Sequence, residues 1–223
     1  EITKEYRTKM ADWMIEVTTS FKCAPRTYFL AMTIFDKHLI SAHQNGKTLT
    51  NKEVHKIGVI SMYIASKFED VVPLHARVVS EKIAHGTMTP KQVAEEEKKF
   101  LEMFNYQIDF VTPFDFFETI MEKVRQRINS YCQKANESVS FTNNAQNLMK
   151  ALASMSMILV KMSIQCLDFC AYSSSTVVMA SLYASTAFVK HSKTYRGDLT
   201  TQWVSLVRQF IFDIINDELA DCQ

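Results

Sequence analysis

The stretch Thr50-Asn51-Lys52-Glu53-Val54-His55-Lys56-Ile57-Gly58-Val59-Ile60-Ser61-Met62-Tyr63-Ile64-Ala65-Ser66-Lys67-Phe68-Glu69-Asp70 decides the fold class. Its first four residues form a capping box: the Thr hydroxyl and the Glu carboxylate each satisfy an orphan amide of a helix's first turn. Apolar residues then recur at steps of three and four, Ile57, Ile60 and Ile64, followed on the same stripe by Lys67 and Val71. Pro73 breaks the chain. This is one capped helix running to about Phe68, with a single charge on its apolar face.

The same grammar extends outward. Met10, Trp13, Met14, Val17 and Phe21 predict a helix over 7–21, and Pro25 and Thr27 open a second through Phe29, Leu30, Ile34, Phe35 and Leu39. A polar loop with Gly46 separates it from Thr50. After Pro73 a short helix runs to Ala84. Thr89-Pro90-Lys91-Gln92 is a second capping box, with proline at the first helical position. Its helix carries Val93, Glu97, Phe100 and Phe104, again an apolar stripe interrupted once. Beyond a linker, Thr112-Pro113 opens a second half: helices over 114–134, 145–167 and 173–190, and a last one marked by Trp203, Leu206, Val207, Phe210, Ile211, Ile214 and Leu219. Polar loops are expected over 136–143 and 191–198. Met62 to Lys67 and Val178 to Tyr183 occupy equivalent places in the two halves, a faint internal repeat.

Composition agrees. Of 223 residues, 47% are hydrophobic and 22% charged, and there are only four Gly and four Pro where average usage gives about 15 and 11. That excludes disorder and disfavours sandwiches, barrels and Gly-rich nucleotide folds. Residues 1–110 carry 15 basic and 14 acidic side chains, and residues 111–223 carry 10 of each. No segment has the basic excess of a nucleic-acid binder. Five cysteines without a Cys-x-x-Cys spacing argue against a disulfide framework or zinc site and for a reducing compartment. Glu1 to Asp12 is too charged for a signal peptide, and without an initiator Met the chain reads as a fragment of a longer one. The longest uncharged run, between Asp168 and Lys190, holds too many Ser and Thr for a membrane span and reads as a buried helix. The expectation is an all-α chain of two consecutive five-helix domains, 1–110 and 111–223, with no membrane contact.

No catalytic or metal signature stands out. Gly46-Lys47-Thr48 matches the end of a phosphate loop, but Ser41 stands where its first glycine belongs and no strand precedes it. Cys166 and Cys170 lie one turn apart without a nearby His. The interrupted stripes leave two readings for Lys67 and Glu97: an ion pair with each other, or a shared patch that hydrogen-bonds a partner's backbone.

Ala65-Ser66-Lys67-Phe68-Glu69-Asp70 followed by Pro73 resembles the cyclin box. Arg7, Asp12-Trp13 and Val17 resemble its first helix, Leu30-Ala31 through Phe35-Asp36-Lys37 its second, and Gln92-Val93 through Glu97 with Leu101 and Phe104 its fifth. Thr112-Pro113, Leu167-Asp168-Phe169, Tyr172 to Ser175 and Ala180 to Tyr183 resemble a second repeat of the fold. Order and spacing together are specific, and the mitotic branch fits best.

The resemblance implies a regulatory subunit that activates a cyclin-dependent protein kinase, without catalytic residues, metal or cofactor of its own. It further implies a protein of nucleus and cytoplasm, monomeric when free. It assigns Lys67 and Glu97 to hydrogen bonds with the main chain of the kinase's αC helix, and Ile64, Phe68, Leu101 and Ile108 to the pocket for an isoleucine of that helix. The alternatives are an adaptor like transcription factor IIB, which balanced charge disfavours, and a kinase-independent scaffold.

The resemblance also implies a docking groove for Arg-x-Leu peptides at Tyr6, Lys9, Met10, Trp13, Glu16 and His55. Here the chain departs from the family: Lys9 replaces an aliphatic residue, His55 stands where glutamine is common, and the loop over 43–50 is longer than in typical mitotic cyclins. Lys9 removes about 60–80 Å² of apolar contact for the peptide's leucine, which at about 25 cal/mol/Å² is about 1.5–2 kcal/mol, a ten- to thirtyfold loss. Fluorescence anisotropy is expected to show weak binding of a standard Arg-x-Leu peptide and partial recovery in Lys9→Ile. Tight binding by the unaltered chain would leave Trp13 and Glu16 as sufficient.

Overall fold

The computed structural model describes the backbone of residues 4–134, 139–191 and 198–220. Every regular element in it is helical. Two compact units divide the chain, Glu1–Phe114 and Asp115–Gln223.

The first unit contains α1 (Lys4–Ser20), α2 (Pro25–Gln44), α3 (Asn51–Glu69), α4 (Ala76–Val78, running on as a π-helical turn, Val79–Ile83) and α5 (Pro90–Met103). Both capping boxes form. Thr50 Oγ1 accepts the Glu53 amide while the Glu53 carboxylate accepts the Thr50 amide, and Thr89 and Gln92 do the same. Hydrogen bonds from Thr50 and Lys47 pull the Glu53 carboxyl down to about 2. Gly46, at φ +67°, makes the turn after α2 in the left-handed region that glycine favours.

α3 is the hub of this unit, packing on α1, α2 and α5, with Val54, Val59, Ile60, Met62 and Ala65 wholly buried. Gly58 faces the side chains of α1. A Cβ there would lie 2.5 Å from Met10 Cε, so the small residue makes room for the α1 side chain. α1 is tied to α2 by a bidentate ion pair, Arg7 Nε to Asp36 Oδ1 at 2.8 Å and Arg7 Nη2 to Asp36 Oδ2 at 2.6 Å. Paired in this way, the arginine sits at 5% exposure without an uncompensated charge.

At the end of α3 the Asp70 carboxylate gathers three chain segments. Oδ1 accepts the Ala24 amide and the Thr27 hydroxyl, both at 2.7 Å, and Oδ2 accepts the Ser66 hydroxyl at 2.6 Å. Ser66 Oγ in turn accepts the Leu74 amide at 2.9 Å. Burial, then the charge and hydrogen bond of Asp70, push the nearby Cys23 thiol up to about 12. The expected stripe is corrected at one point. Val71 lies past the helix end and is fully exposed, because Asp70 turns the chain extended ahead of Pro73.

The second unit contains α6 (Pro113–Lys134), α7 (Val139–Gln165), a 3₁₀ turn (Leu167–Ala171), α8 (Ser174–His191) and α9 (Asp198–Ala220). Among the described residues this gives four α-helices and a 3₁₀ turn where five helices were expected. The polar loop expected over 136–143 is also corrected: helix is already present from Val139, and 136–138 lie outside the described residues. The loop over 191–198 falls almost wholly outside them. α7 packs on α8 and α9, and the core gathers Leu148, Leu152, Val160, Val178, Leu182, Trp203, Val207 and Ile211. Ala145–Gln165, rather than the Ser-rich run, is the one stretch among the described residues long and apolar enough to cross a membrane by length and composition. The Ser-rich helix α8 satisfies its hydroxyls locally. Ser181 donates to the Val177 carbonyl at 2.8 Å, and Ser185 donates to Leu182 O at 2.6 Å while accepting from Ser156 at 2.8 Å.

His38, on α2, stacks on Phe100 of α5 with ring centroids 4.2 Å apart, and its buried Nδ1 has no hydrogen-bond partner. Burial, then the positive charge of Lys47, pushes its pKa down to about 4, although Glu96 opposes this. The folded chain therefore holds the neutral ring, while the unfolded chain takes up a proton near 6.5. This contribution to stability is complete above about pH 6.5 and is lost as pH falls towards 4. After discounting for the exposed part of the ring it is about 1–2 kcal/mol. Urea unfolding between pH 7 and 4.5 is expected to show that slope, and His38→Phe to flatten it. A residual slope of the same sign belongs to half-buried His55, whose pKa burial also lowers.

Candidate functional site

α3 and α5 bring the two stripe-breaking charges together. Lys67 Nζ donates to Glu97 Oε1 at 2.7 Å, with 45% of the lysine side chain exposed against 13% of the glutamate. The amine also lies 5.3 Å from the centre of the Tyr63 ring. The hydrogen bond to Glu97 holds the Lys67 pKa up, and burial, then Glu97, raises the Tyr63 hydroxyl. Of the two readings left open, the ion pair is present in the free chain. It is not sealed from solvent, because the lysine remains accessible.

The apolar side chains near the pair in sequence, and those expected to share its face, are unequally exposed. Phe68 is 49% exposed, and Val71 and Val72 beyond it are 100% and 81% exposed. Leu101, one turn after Glu97, is half-buried, as is Ile108 in the irregular segment between α5 and α6. Ile64, expected to line the pocket, is 2% exposed. Sequence reasoning missed the exposed Val71–Val72 step. Its signal was Pro73, which forbids continuing the stripe past Asp70.

The second candidate cluster lies where α1 crosses α3. Tyr6 Oη donates to the Asn51 carbonyl at 2.9 Å, and the Trp13 ring lies over His55 with centroids 4.7 Å apart. Lys9 and Glu16 are exposed, so the Lys9 amine keeps its water. Met10, expected on the groove surface, is 5% exposed and turned in towards Gly58. Trp13 and His55 remain half-buried. Among the described residues no group of three or more His, Cys, Asp or Glu is placed to hold a metal ion.

These geometries sit in the segment that matches known proteins. Residues 1–109 match the family model for the cyclin N-terminal domain. Through this half the chain belongs to the cyclin family. It is 32% identical over 111 residues to a G2/mitotic-specific cyclin-B of Emericella nidulans, covering 50% of this chain and 22% of that one. It is 29% identical over 130 residues to a G1/S-specific cyclin-D2 of Rattus norvegicus, covering 57% and 42%. The matches thus span less than half of these cyclins' own length. A solved viral cyclin from herpesvirus saimiri aligns over 95% of this chain and 86% of its own at a TM-score of 0.61 and 18% identity, a likeness of fold.

The ion pair makes a small demand on folding. A partly exposed pair couples by about 0–1 kcal/mol. A double-mutant cycle in urea with Lys67→Ala, Glu97→Ala and both is expected to give a coupling below about 1 kcal/mol. A larger value would make the pair a structural clamp.

Proposed function

We propose that this cyclin is the regulatory subunit of a cyclin-dependent protein kinase, acting in the cell cycle in nucleus and cytoplasm, with 1–110 as the kinase-facing box and 111–223 as a second repeat of the fold. The observation that carries the reading is an accessible Lys67–Glu97 pair, followed in the chain by exposed Phe68, Val71 and Val72, inside the segment that matches the cyclin N-terminal domain.

Such a face suits the end of a helix. The Lys67 ammonium has three donors and spends one on Glu97; the others can meet orphan carbonyls. The second oxygen of Glu97 can accept an amide. Phe68, Val71 and Val72 lose water on docking, and full burial of such a side chain contributes about 1.5–3 kcal/mol. A kinase needs its β3 lysine paired with the αC glutamate before it positions ATP. A subunit that binds the inward αC arrangement more tightly shifts the population towards it by its differential affinity. The cyclin performs no chemistry itself. Relatives named for G2/mitotic and G1/S roles support the cell-cycle setting.

Calorimetry against purified cyclin-dependent kinases tests the contact. Truncating one partner of a charged hydrogen bond buried on docking costs about 2–5 kcal/mol, roughly thirtyfold or more in affinity. Lys67→Ala and Glu97→Ala are each expected to reach that loss and to lower kinase activity in parallel. Unchanged affinity with the fold intact would reduce the pair to an internal contact.

A further inference from the structure

In the second unit, half-buried Arg208 of α9 is held in one orientation by α8. Its Nε donates to Thr186 Oγ1 at 2.6 Å, and its Cζ stands 5.0 Å from the centre of the Tyr183 ring. The anchor is itself fixed. Thr186 is fully buried and its hydroxyl donates to the Tyr183 carbonyl at 2.6 Å, which leaves its oxygen to accept from the arginine. Stack and hydrogen bond together set the plane of a guanidinium that is always charged. Every other arginine among the described residues meets a carboxylate, as Arg7 meets Asp36. Arg208 meets only neutral groups, and both its Nη groups stay open to solvent with donors unspent. Apolar surface lies beside it. Phe212, one turn on along α9, is 55% exposed, and Tyr183 is 50% exposed. Ala180 and Ala187, a turn before and after Tyr183 on α8, are small and leave the flanks of the ring low.

We infer that this α8–α9 face docks a peptide segment of a partner protein through one Asp or Glu carboxylate held by the Nη groups of Arg208, with a large apolar neighbour of that acid packed on Tyr183 and Phe212. The two oxygens of a carboxylate match parallel N–H groups of a guanidinium, and hydrogen bonds between ionised partners are the strong ones. The receptor costs little to order on binding, because Thr186 and Tyr183 have ordered it beforehand. Arginine and tyrosine are also residue types on which interfaces concentrate their affinity. A phosphate suits the face less well. It carries about −1.5 to −2 charges, and the sites that read it gather several arginines, whereas a single one stands here. The inference is independent of the kinase reading, since it uses neither α3 nor α5.

Nuclear magnetic resonance on the full chain, without a kinase, tests it through the Nε–Hε signal of Arg208 and the backbone amide of Phe212. The probes are acetyl-Leu-Glu-Phe-amide and its neutral twin, acetyl-Leu-Gln-Phe-amide. The Glu peptide is expected to shift both signals saturably, to bind about tenfold more tightly than the twin, and to weaken with salt. Arg208→Lys keeps the charge but neither the fork nor the stack. Read at the Phe212 amide, it is expected to lose about tenfold for the Glu peptide, as Arg208→Gln does. Should both variants misfold by circular dichroism, Thr186→Val replaces them; it removes only the acceptor of Nε at unchanged side-chain size and is expected to lose severalfold. Unmoved signals, equal affinity for the twin, or variants that bind the Glu peptide as tightly as the unaltered chain would overturn the inference. So would displacement of the Glu peptide by acetyl-Leu-phosphoserine-Phe-amide at lower concentration than by the Glu peptide itself, which would make Arg208 a phosphate site.

Discussion

The carboxylate of Asp70 is the joint on which the first unit hangs. It stops α3 and receives the amide and hydroxyl that begin α2, and through Ser66 it fixes the strand-like step to Leu74. Each contact spans from four to 46 residues of chain, so one side chain sets the direction in which α3 ends and the angle at which α2 starts. Val71 and Val72 face solvent because this joint leaves them no helix to belong to. Hydrogen bonds to an ionised group are about twice as strong as neutral ones, which gives so small a knot its hold.

The face beside this joint is held in a state of partial satisfaction. Lys67 and Glu97 neutralise each other, so the free chain carries no isolated buried charge, yet neither has spent all its hydrogen-bonding capacity. Val71 and Val72 stay in water, a cost that the proposed kinase contact would relieve. In the proposed complex, stability and recognition would draw on different atoms of the same residues, so the folded chain can be indifferent to a pair on which the kinase contact depends.

Much of this was legible in the sequence because helices announce themselves locally. Two capping boxes, Pro90 and Pro113 at helix starts, and Gly46 after α2 are signals contained within four or five residues. The pairing of Lys67 with Glu97 was half legible: period showed that both interrupt an apolar face, but not that α3 and α5 bring them within 2.7 Å. What stayed hidden is long-range. Arg7 with Asp36 is 29 residues apart and Asp70 with Ala24 is 46 apart, and no local pattern predicts which carboxylate closes on which donor. The depth of Ile64 and Met10, 2% and 5% exposed, was hidden for a related reason. Periodicity gives the angle of a side chain on its helix, while depth depends on how near the neighbouring helix comes, and at Met10 it is Gly58 that leaves the room.

The thiol beside Asp70 carries that closeness into chemistry. Only a thiolate attacks a disulfide, a peroxide or an alkylating reagent. With its pKa pushed up to about 12, Cys23 offers at neutral pH about a thousandth of the thiolate of a cysteine titrating near 9. Burial, and after it the carboxylate that orders the joint, therefore also makes Cys23 a poor nucleophile. The joint between α1, α2 and α3 is in this sense guarded against corrosion: the same packing that orders it withholds the thiolate through which an oxidant would act on a more acidic cysteine in that position.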